Sequence, residues 1–159
     1  MAKKKDKNPN KKIEIINRKA KFEYKFLSEI EAGLILTGTE IKSIRAGEAN
    51  IKEAYCLFLR DGLFIRNMFI AEYKYGTHNN HEVRRDRKLL LKKIELKKLQ
   101  RKVKEKGMTI VPYRLFVNDR GFAKLDITLA TGKRQYDKRA TMKERDNKRE
   151  MDRLKKIKL

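Results

Sequence analysis

The sequence predicts a mainly β domain, built as a small closed antiparallel barrel with one short and one long helix and followed by a basic C-terminal tail. Three observations support this prediction. Six short segments have apolar patterns typical of strands, turn sequences separate two pairs of them, and one long amphipathic helix lies between those pairs. Closure removes the exposed edges that an open α+β sheet, the alternative, would leave. The predicted barrel is of the OB-fold type.

The first predicted elements are two strands and a short helix. Apolar and charged side chains alternate over residues 20–26, as in a half-buried strand, and a second apolar strand follows at residues 32–36. A short helix is predicted from Thr39, its N-cap, to Ala46. Gly47 is a suitable residue to end it.

Turn sequences predict two hairpins. Residues 54–59 and 63–70 flank Arg-Asp-Gly, and an Asp-Gly pair favours a tight turn because such turns need positive φ. Residues 110–117 and 122–130 flank Asn-Asp-Arg-Gly and predict the second hairpin.

The long helix is predicted over residues 88–106, with Gly107 ending it in the left-handed conformation. Its apolar face has spacings of seven, three and four residues, formed by Leu89, Leu96, Leu99 and Val103. Four cations within residues 84–88 would lie at its start, where the helix dipole repels them unless an anion is near. A solvated charge run is the alternative interpretation.

Charge divides the chain into three parts. Of a net charge of +22, residues 1–12 carry +5 and residues 131–159 carry +7. We therefore expect a disordered basic arm at 1–12, the barrel at 13–131, which would bind a polyanion, and a basic tail at 132–159. Acid-first pairs four residues apart, such as Glu144 with Lys148, predict that the tail becomes helical on a partner.

Catalytic and metal chemistry have little support in the sequence. The only serines are Ser28 and Ser43, and the only histidines are His78 and His81. A metal site at the two histidines and Glu82 would lack a second ligand pair, so we expect no metal and no cofactor. The single cysteine permits no internal disulfide, and no apolar run approaches a membrane span, which favours a cytoplasmic protein.

Binding of a polyanion is the better-supported chemistry. Lys and Arg side chains neutralise phosphates, and exposed aromatic rings can stack on unpaired bases. Glu40 either stabilises the start of the short helix or accepts hydrogen bonds from a base edge or ribose. Tyr136 lies among basic residues of the tail, where it either packs back on the barrel or stacks on a base.

Three segments resemble one family in their order along the chain. They are GTEIKSIRAGEANIKEAY at 38–55, RDRKLLL at 85–91 and GKRQYDKRATMKERD at 132–146. Together they are similar to SmpB, the protein partner of transfer-messenger RNA. The resemblance implies an OB-fold adapter, not an enzyme, that binds the tRNA-like part of transfer-messenger RNA. It would deliver this RNA to stalled ribosomes for trans-translation, in which ribosomes are rescued and the peptide is tagged.

The resemblance also implies two groups of contact residues in a monomeric protein. RNA-binding residues on the barrel would be Asn17, Arg18, Lys19, Glu40, Lys42, Ser43, Arg45, His81, Arg87, Lys88 and Lys133. Contacts with the decoding centre and mRNA path of the small ribosomal subunit would come from Tyr136, Asp137, Lys138, Arg139, Lys143, Arg145 and Arg149.

Three positions depart from the family's common residues. Tyr136 replaces a histidine, Asn147 replaces a tryptophan, and Val83 replaces a proline in the loop that leads to Arg87. Two rival functions share the charge argument: a structural ribosomal protein with a barrel and basic arms, and a small RNA-cleaving enzyme that would use His78 or His81.

Overall fold

The computed structural model describes residues 13–60 and 62–157, so the predicted arm at 1–12 lies outside the described residues. Those residues form nine strands and four helices. The strands are β1 (Glu14–Ile16), β2 (Tyr24–Leu34), β3 (Ala49–Asn50), β4 (Tyr55–Leu59), β5 (Gly62–Arg66), β6 (Phe69–Ile70), β7 (Arg87–Leu90), β8 (Thr109–Val117) and β9 (Ala123–Gly132). The helices are α1 (Arg18–Glu23), α2 (Gly38–Arg45), α3 (Lys93–Lys106) and α4 (Gln135–Ile157).

Six strands are hydrogen-bonded into a ring. Their order is β8-β4-β5-β7-β2-β9, and β9 pairs again with β8. Strand β1 adds to β8, while β3 and β6 form a separate two-stranded sheet. Every pairing is antiparallel, which confirms the predicted mainly β, antiparallel class.

The main apolar core contains residues from these strands and from two helices. On β9, Leu125, Ile127 and Leu129 are buried in this core. Ile44 of α2 and Leu99 of α3 join the same core, which attaches both helices to the sheet. Burial of such side chains stabilises by roughly 1.5–3 kcal/mol each.

Both hairpins are confirmed. Strands β4 and β5 pair up to Leu59 opposite Gly62, and β8 and β9 pair up to Val117 opposite Ala123. The strand expected at 63–70 is divided, however. It ends at Arg66, and Asn67 takes a positive φ of 61° before β6 begins.

The strand expected at residues 20–26 is wrong over its first half, where α1 occupies Arg18–Glu23. Asn17 is the N-cap of this helix, and its side chain accepts a hydrogen bond from Ala20 N–H. The parts of the two expected strands that do form β structure, residues 24–26 and 32–34, belong to the single long strand β2.

The expected helices also need corrections. The short helix is confirmed as α2, but its N-cap is Thr37 rather than Thr39. The long helix begins at Lys93 rather than at residue 88, because Arg87–Leu90 pair with β2 and β5 as strand β7. The cations of residues 84–88 therefore do not lie at a helix start.

Gly107 ends α3 in the left-handed conformation, with φ of 58°, as expected. The tail contains helix α4, in which Arg145 lies 5.4 Å from the ring centre of Phe22 on α1. Within the described residues, none of the four helices combines the length and the apolar character that a membrane span requires.

Candidate nucleic-acid interface

Glu40 is the centre of a buried ionic network at the base of α2. Its carboxylate accepts hydrogen bonds from Arg85 at 2.8 and 2.6 Å and from Arg87 Nε at 2.8 Å. The N–H of Thr37 donates to the same carboxylate over 2.8 Å, which is half of a capping box. One carboxylate thus fixes the start of α2 against two residues that precede or begin β7.

Arg87 connects this network to the adjoining loop. Its side chain is fully buried and donates to backbone carbonyl groups of Met68, Arg85, Glu82 and Val83 in addition to Glu40. These bonds anchor the β6–β7 loop, residues 71–86, beneath α2. A buried charge of this kind is tolerated when its donors have partners.

The hydrogen bonds of the network keep its carboxylate ionised. Burial raises the pKa of Glu40, but hydrogen bonds from Arg85, Thr37 and Arg87 lower it by more, to about 2. The bond to Glu40 raises the pKa of Arg85, whereas burial lowers the pKa of Arg87. Because guanidinium groups stay protonated in proteins, the network is ionised at neutral pH.

His81 holds the same loop to α2 from its other side. It is 8% exposed, and its Nδ1 lies 2.9 Å from Thr39 Oγ1 while Nε2 lies 3.1 Å from the carbonyl oxygen of Ile70. Since a carbonyl only accepts, Nε2 carries a hydrogen and donates it to the Ile70 carbonyl, while Nδ1 shares a hydrogen bond with the Thr39 hydroxyl. His78, in contrast, is exposed in the loop.

Asn17 is also an internal residue. It is 2% exposed, and its Nδ2 donates to the carbonyl groups of Ile51 and Pro112, each over 3.2 Å. Its Oδ1 accepts the capping bond of α1, so both the oxygen and the nitrogen of the Asn17 amide form hydrogen bonds. Ser43 is fully buried as well, and its hydroxyl has no hydrogen-bond partner among the described residues.

The remaining residues before α4 that are expected to contact RNA are exposed or half-buried cations. Lys42 and Arg45 are exposed on α2, above the buried network, and Arg45 donates to the carbonyl of Gly121 over 2.8 Å. Arg18 and Lys19 are exposed on α1, where Lys19 pairs with Glu53 at 3.3 Å. Two half-buried lysines complete the set, Lys88 on β7 and Lys133 after β9.

The expected site residues thus lie in different parts of the structure. Lys42, Arg45, Glu40, Ser43 and His81 share α2 or its contacts, whereas Arg18 and Lys19 lie on α1. The tail residues expected at the ribosome lie on α4, and all are exposed except Lys138, which is half-buried. Tyr136 is 81% exposed, so in this conformation it does not pack back on the sheet.

Sequence reasoning missed several residues that build the site. Arg85 makes the paired contact with Glu40, and Arg66 donates to Asp86 at 2.7–3.1 Å beside it. Arg85 and Asp86 belong to the cation-rich run at 84–88, but nothing in that run indicates which of its side chains are buried. No cluster of three or more metal-ligand side chains occurs in the described ranges.

Comparison with known proteins identifies the family. A family model described as "SmpB protein" matches residues 14–157. The chain is 56% identical over 142 residues to the SsrA-binding protein of Phocaeicola vulgatus, covering 89% of this chain and 95% of the relative. It is 55% identical over 146 residues to the SsrA-binding protein of Flavobacterium psychrophilum, covering 92% and 97%.

A solved structure agrees with these relatives. It is described as "tmRNA-SmpB: a journey to the center of the bacterial ribosome", and the match covers 77% of this chain and 86% of the other at a TM-score of 0.65 and 42% identity. Because the family model spans nearly the whole described chain and the relatives align over almost their full length, this chain belongs to the SmpB family.

Proposed function

We propose that this protein is an RNA-binding adapter for trans-translation. It binds the tRNA-like part of transfer-messenger RNA and delivers it to stalled ribosomes. The names of its relatives, SsrA-binding proteins, and the tmRNA–SmpB ribosome structure support this proposal. The observation that carries it is geometric: exposed Lys42 and Arg45 are presented by a helix that a buried ionic network holds in place.

The ring of strands is, in this proposal, a closed OB-type barrel. Its role is to present α1 and α2 as rigid elements, which position binding groups more accurately than loops do. OB-folds commonly bind oligonucleotides, so this interpretation of the ring agrees with an RNA partner.

The expected barrel contacts then have two roles. Cations with exposed surface contact the RNA directly, and buried residues position them. The direct contacts are Arg18, Lys19, Lys42, Arg45, Lys88 and Lys133. The positioning residues are Asn17, Glu40, Ser43, His81 and Arg87, all at most 8% exposed.

The tail acts on the ribosome in this proposal. Residues 132–159 enter the decoding centre and mRNA path when no message occupies them, with Tyr136, Asp137, Lys138 and Arg139 near the decoding bases. Lys143, Arg145 and Arg149 contact the channel farther along. The exposed cations of α4 suit a path lined by RNA phosphates, and the tail becomes stably helical there.

The proposal describes a monomeric cytoplasmic protein without catalytic activity. The strongest physical argument against RNA cleavage comes from His81, because both of its ring nitrogens already form hydrogen bonds, one with Thr39 and one with the Ile70 carbonyl. A general acid or base needs a nitrogen that reaches the substrate. RNA cleavage by the wild-type protein that disappears in His81→Ala would contradict the proposed absence of catalytic activity.

Competition binding tests the adapter function. Filter binding with labelled transfer-messenger RNA should show tight binding that survives an excess of tRNA, and equal affinity for the two RNAs would contradict the proposal. Sequencing of RNA that copurifies with the protein from cells separates it from the ribosomal-protein rival. We expect one abundant small RNA, whereas a structural ribosomal protein would yield only ribosomal RNA.

A further inference from the structure

The β6–β7 loop carries two tyrosines that the proposed contacts do not use. Tyr75 is 82% exposed, the largest fraction among the exposed large apolar and aromatic side chains of the described residues. Its ring meets that of Tyr73 edge to face, with centroids 5.5 Å apart and planes inclined by 65°. Such a pair stabilises the ring orientation without covering Tyr75.

This tyrosine pair lies beside the candidate RNA-binding helix. Lys42 Nζ of α2 is 5.1 Å from the centre of the Tyr73 ring, within the range of a cation–π contact. Tyr73 therefore contacts both the exposed ring of Tyr75 and the exposed side chain of Lys42. An aromatic face next to a cation is the combination that binds a nucleotide, because the base stacks and the phosphate pairs.

The loop holds the pair in place before any ligand arrives. Asn80 Oδ1 accepts from the N–H of Tyr73 over 2.9 Å, and its Nδ2 donates to the Tyr73 carbonyl over 3.0 Å and to the Gly76 carbonyl. Gly76 N–H also donates to the Tyr73 carbonyl, over 2.9 Å. A tyrosine fixed in this way loses little conformational entropy when it binds.

We infer that Tyr75, supported by Tyr73, is a stacking platform for an unpaired nucleobase of the RNA bound at α2, with Lys42 on the neighbouring phosphate. This inference rests on the proposed function. Stacking tolerates any base, so the platform adds affinity for an unpaired nucleotide without reading its sequence. It would prefer a loop or bulge of the RNA, where bases are free to leave the helix.

The chain contains no tryptophan, which permits a direct test. In the full-length Tyr75→Trp variant, transfer-messenger RNA should quench the indole fluorescence as it saturates the protein. Inorganic polyphosphate, which has charge but no bases, should bind without comparable quenching. The control is Tyr55→Trp on β4, a position 46% exposed and outside α2 and the loop, where the RNA should leave the emission nearly unchanged.

Affinity measurements complete the test. Tyr75→Ala should weaken binding of transfer-messenger RNA by about five- to a hundredfold, and Tyr75→Phe should stay near the wild-type affinity. RNA that binds the Tyr75→Trp variant at full affinity without quenching, or a Tyr75→Ala variant of unchanged affinity, would overturn the platform and leave the adapter function standing. Failure of the wild-type protein to bind the RNA at all would overturn both.

Discussion

Arg87 donates a hydrogen bond from Nε to Oε1 of Glu40 over 2.8 Å, and neither side chain is exposed. Arg85 pairs with the same carboxylate from the partly exposed side. A buried ion pair contributes little net stability over a well-packed apolar pair, but removal of one partner is costly. The Glu40–Arg87 ion pair therefore fixes the position of α2 relative to β7. The placement of the exposed cations of α2 depends on this position.

Glu40→Gln should destabilise the protein strongly. The substitution keeps the shape of the side chain but leaves the buried guanidinium of Arg87 without a counter-charge, a change that costs about 3–5 kcal/mol. Urea denaturation measures the loss. The matched control is Asp86→Asn, whose partner Arg66 is 43% exposed, so that the loss should be about 1 kcal/mol or less. Equal losses in the two variants would contradict the role given to Glu40.

Stability should fall in acid as Glu40 becomes protonated. Its pKa is about 2 in the folded chain against an ordinary value of 4.5, so the unfolded chain takes up a proton first. The stabilisation is complete above about pH 4.5 and is lost as the pH falls toward 2, in total on the order of 3 kcal/mol. Urea midpoints at a series of pH values should decline less steeply for Glu40→Gln than for the wild type. Parallel profiles would contradict the assignment.

The hairpins could be predicted because their causes are local. Gly62 and Gly121 take positive φ values of 135° and 84° at the turns, which favours glycine at those positions whatever lies elsewhere. Helix α1 could not be predicted in this way. Its alternating apolar residues fit a strand period, and the helix depends on Asn17, whose amide bonds Ile51 and Pro112, 34 and 95 positions along the chain.

The residue types of the site could be predicted from the sequence. Which of these residues are buried could not. The sequence predicts Glu40 both as a helix-start residue and as a candidate contact, and the structure places it in the first turn of α2. Its pairing with Arg85 and Arg87 joins segments more than 40 positions apart, which no local pattern reveals. For the same reason Leu89 fitted the apolar spacing of a helix although it is buried on β7.

Asn17→Ala should destabilise the domain through α1. The change removes the cap of the helix and the Asn17 donor of two carbonyl groups, of which that of Ile51 keeps its bond from the Ala54 N–H; together these losses cost about 1–3 kcal/mol. Lys19→Ala, which breaks only an exposed ion pair with Glu53, should cost less than about 1 kcal/mol. Thermal denaturation of both variants makes the comparison, and a stable Asn17→Ala protein would show that the cap is dispensable.

A chain that stops after Arg134 should bind RNA but fail to tag stalled peptides. This endpoint keeps β9 and the bonds that Lys133 makes to the carbonyl groups of Glu23 and Lys21, so the body of the protein stays intact. Its preference for transfer-messenger RNA over tRNA should equal that of the full chain, because the proposed RNA contacts before α4 remain. A tagging assay on a message without a stop codon should show no product. Loss of the RNA preference on truncation would overturn the proposed division of roles between the strand ring and the tail.

Lys42→Ala should reduce the salt dependence of RNA binding. If the protein neutralises about six phosphates, its affinity falls on the order of a thousandfold between about 50 and 200 mM salt, and each lost phosphate contact lowers the logarithmic slope by about one. Lys98→Ala is the matched control, since Lys98 is also exposed but lies on α3, which carries none of the proposed contacts. Binding isotherms across this salt range should therefore give a smaller slope for Lys42→Ala alone. An equal reduction in both variants would mean that the RNA responds to the overall charge of the protein rather than to the surface of α2.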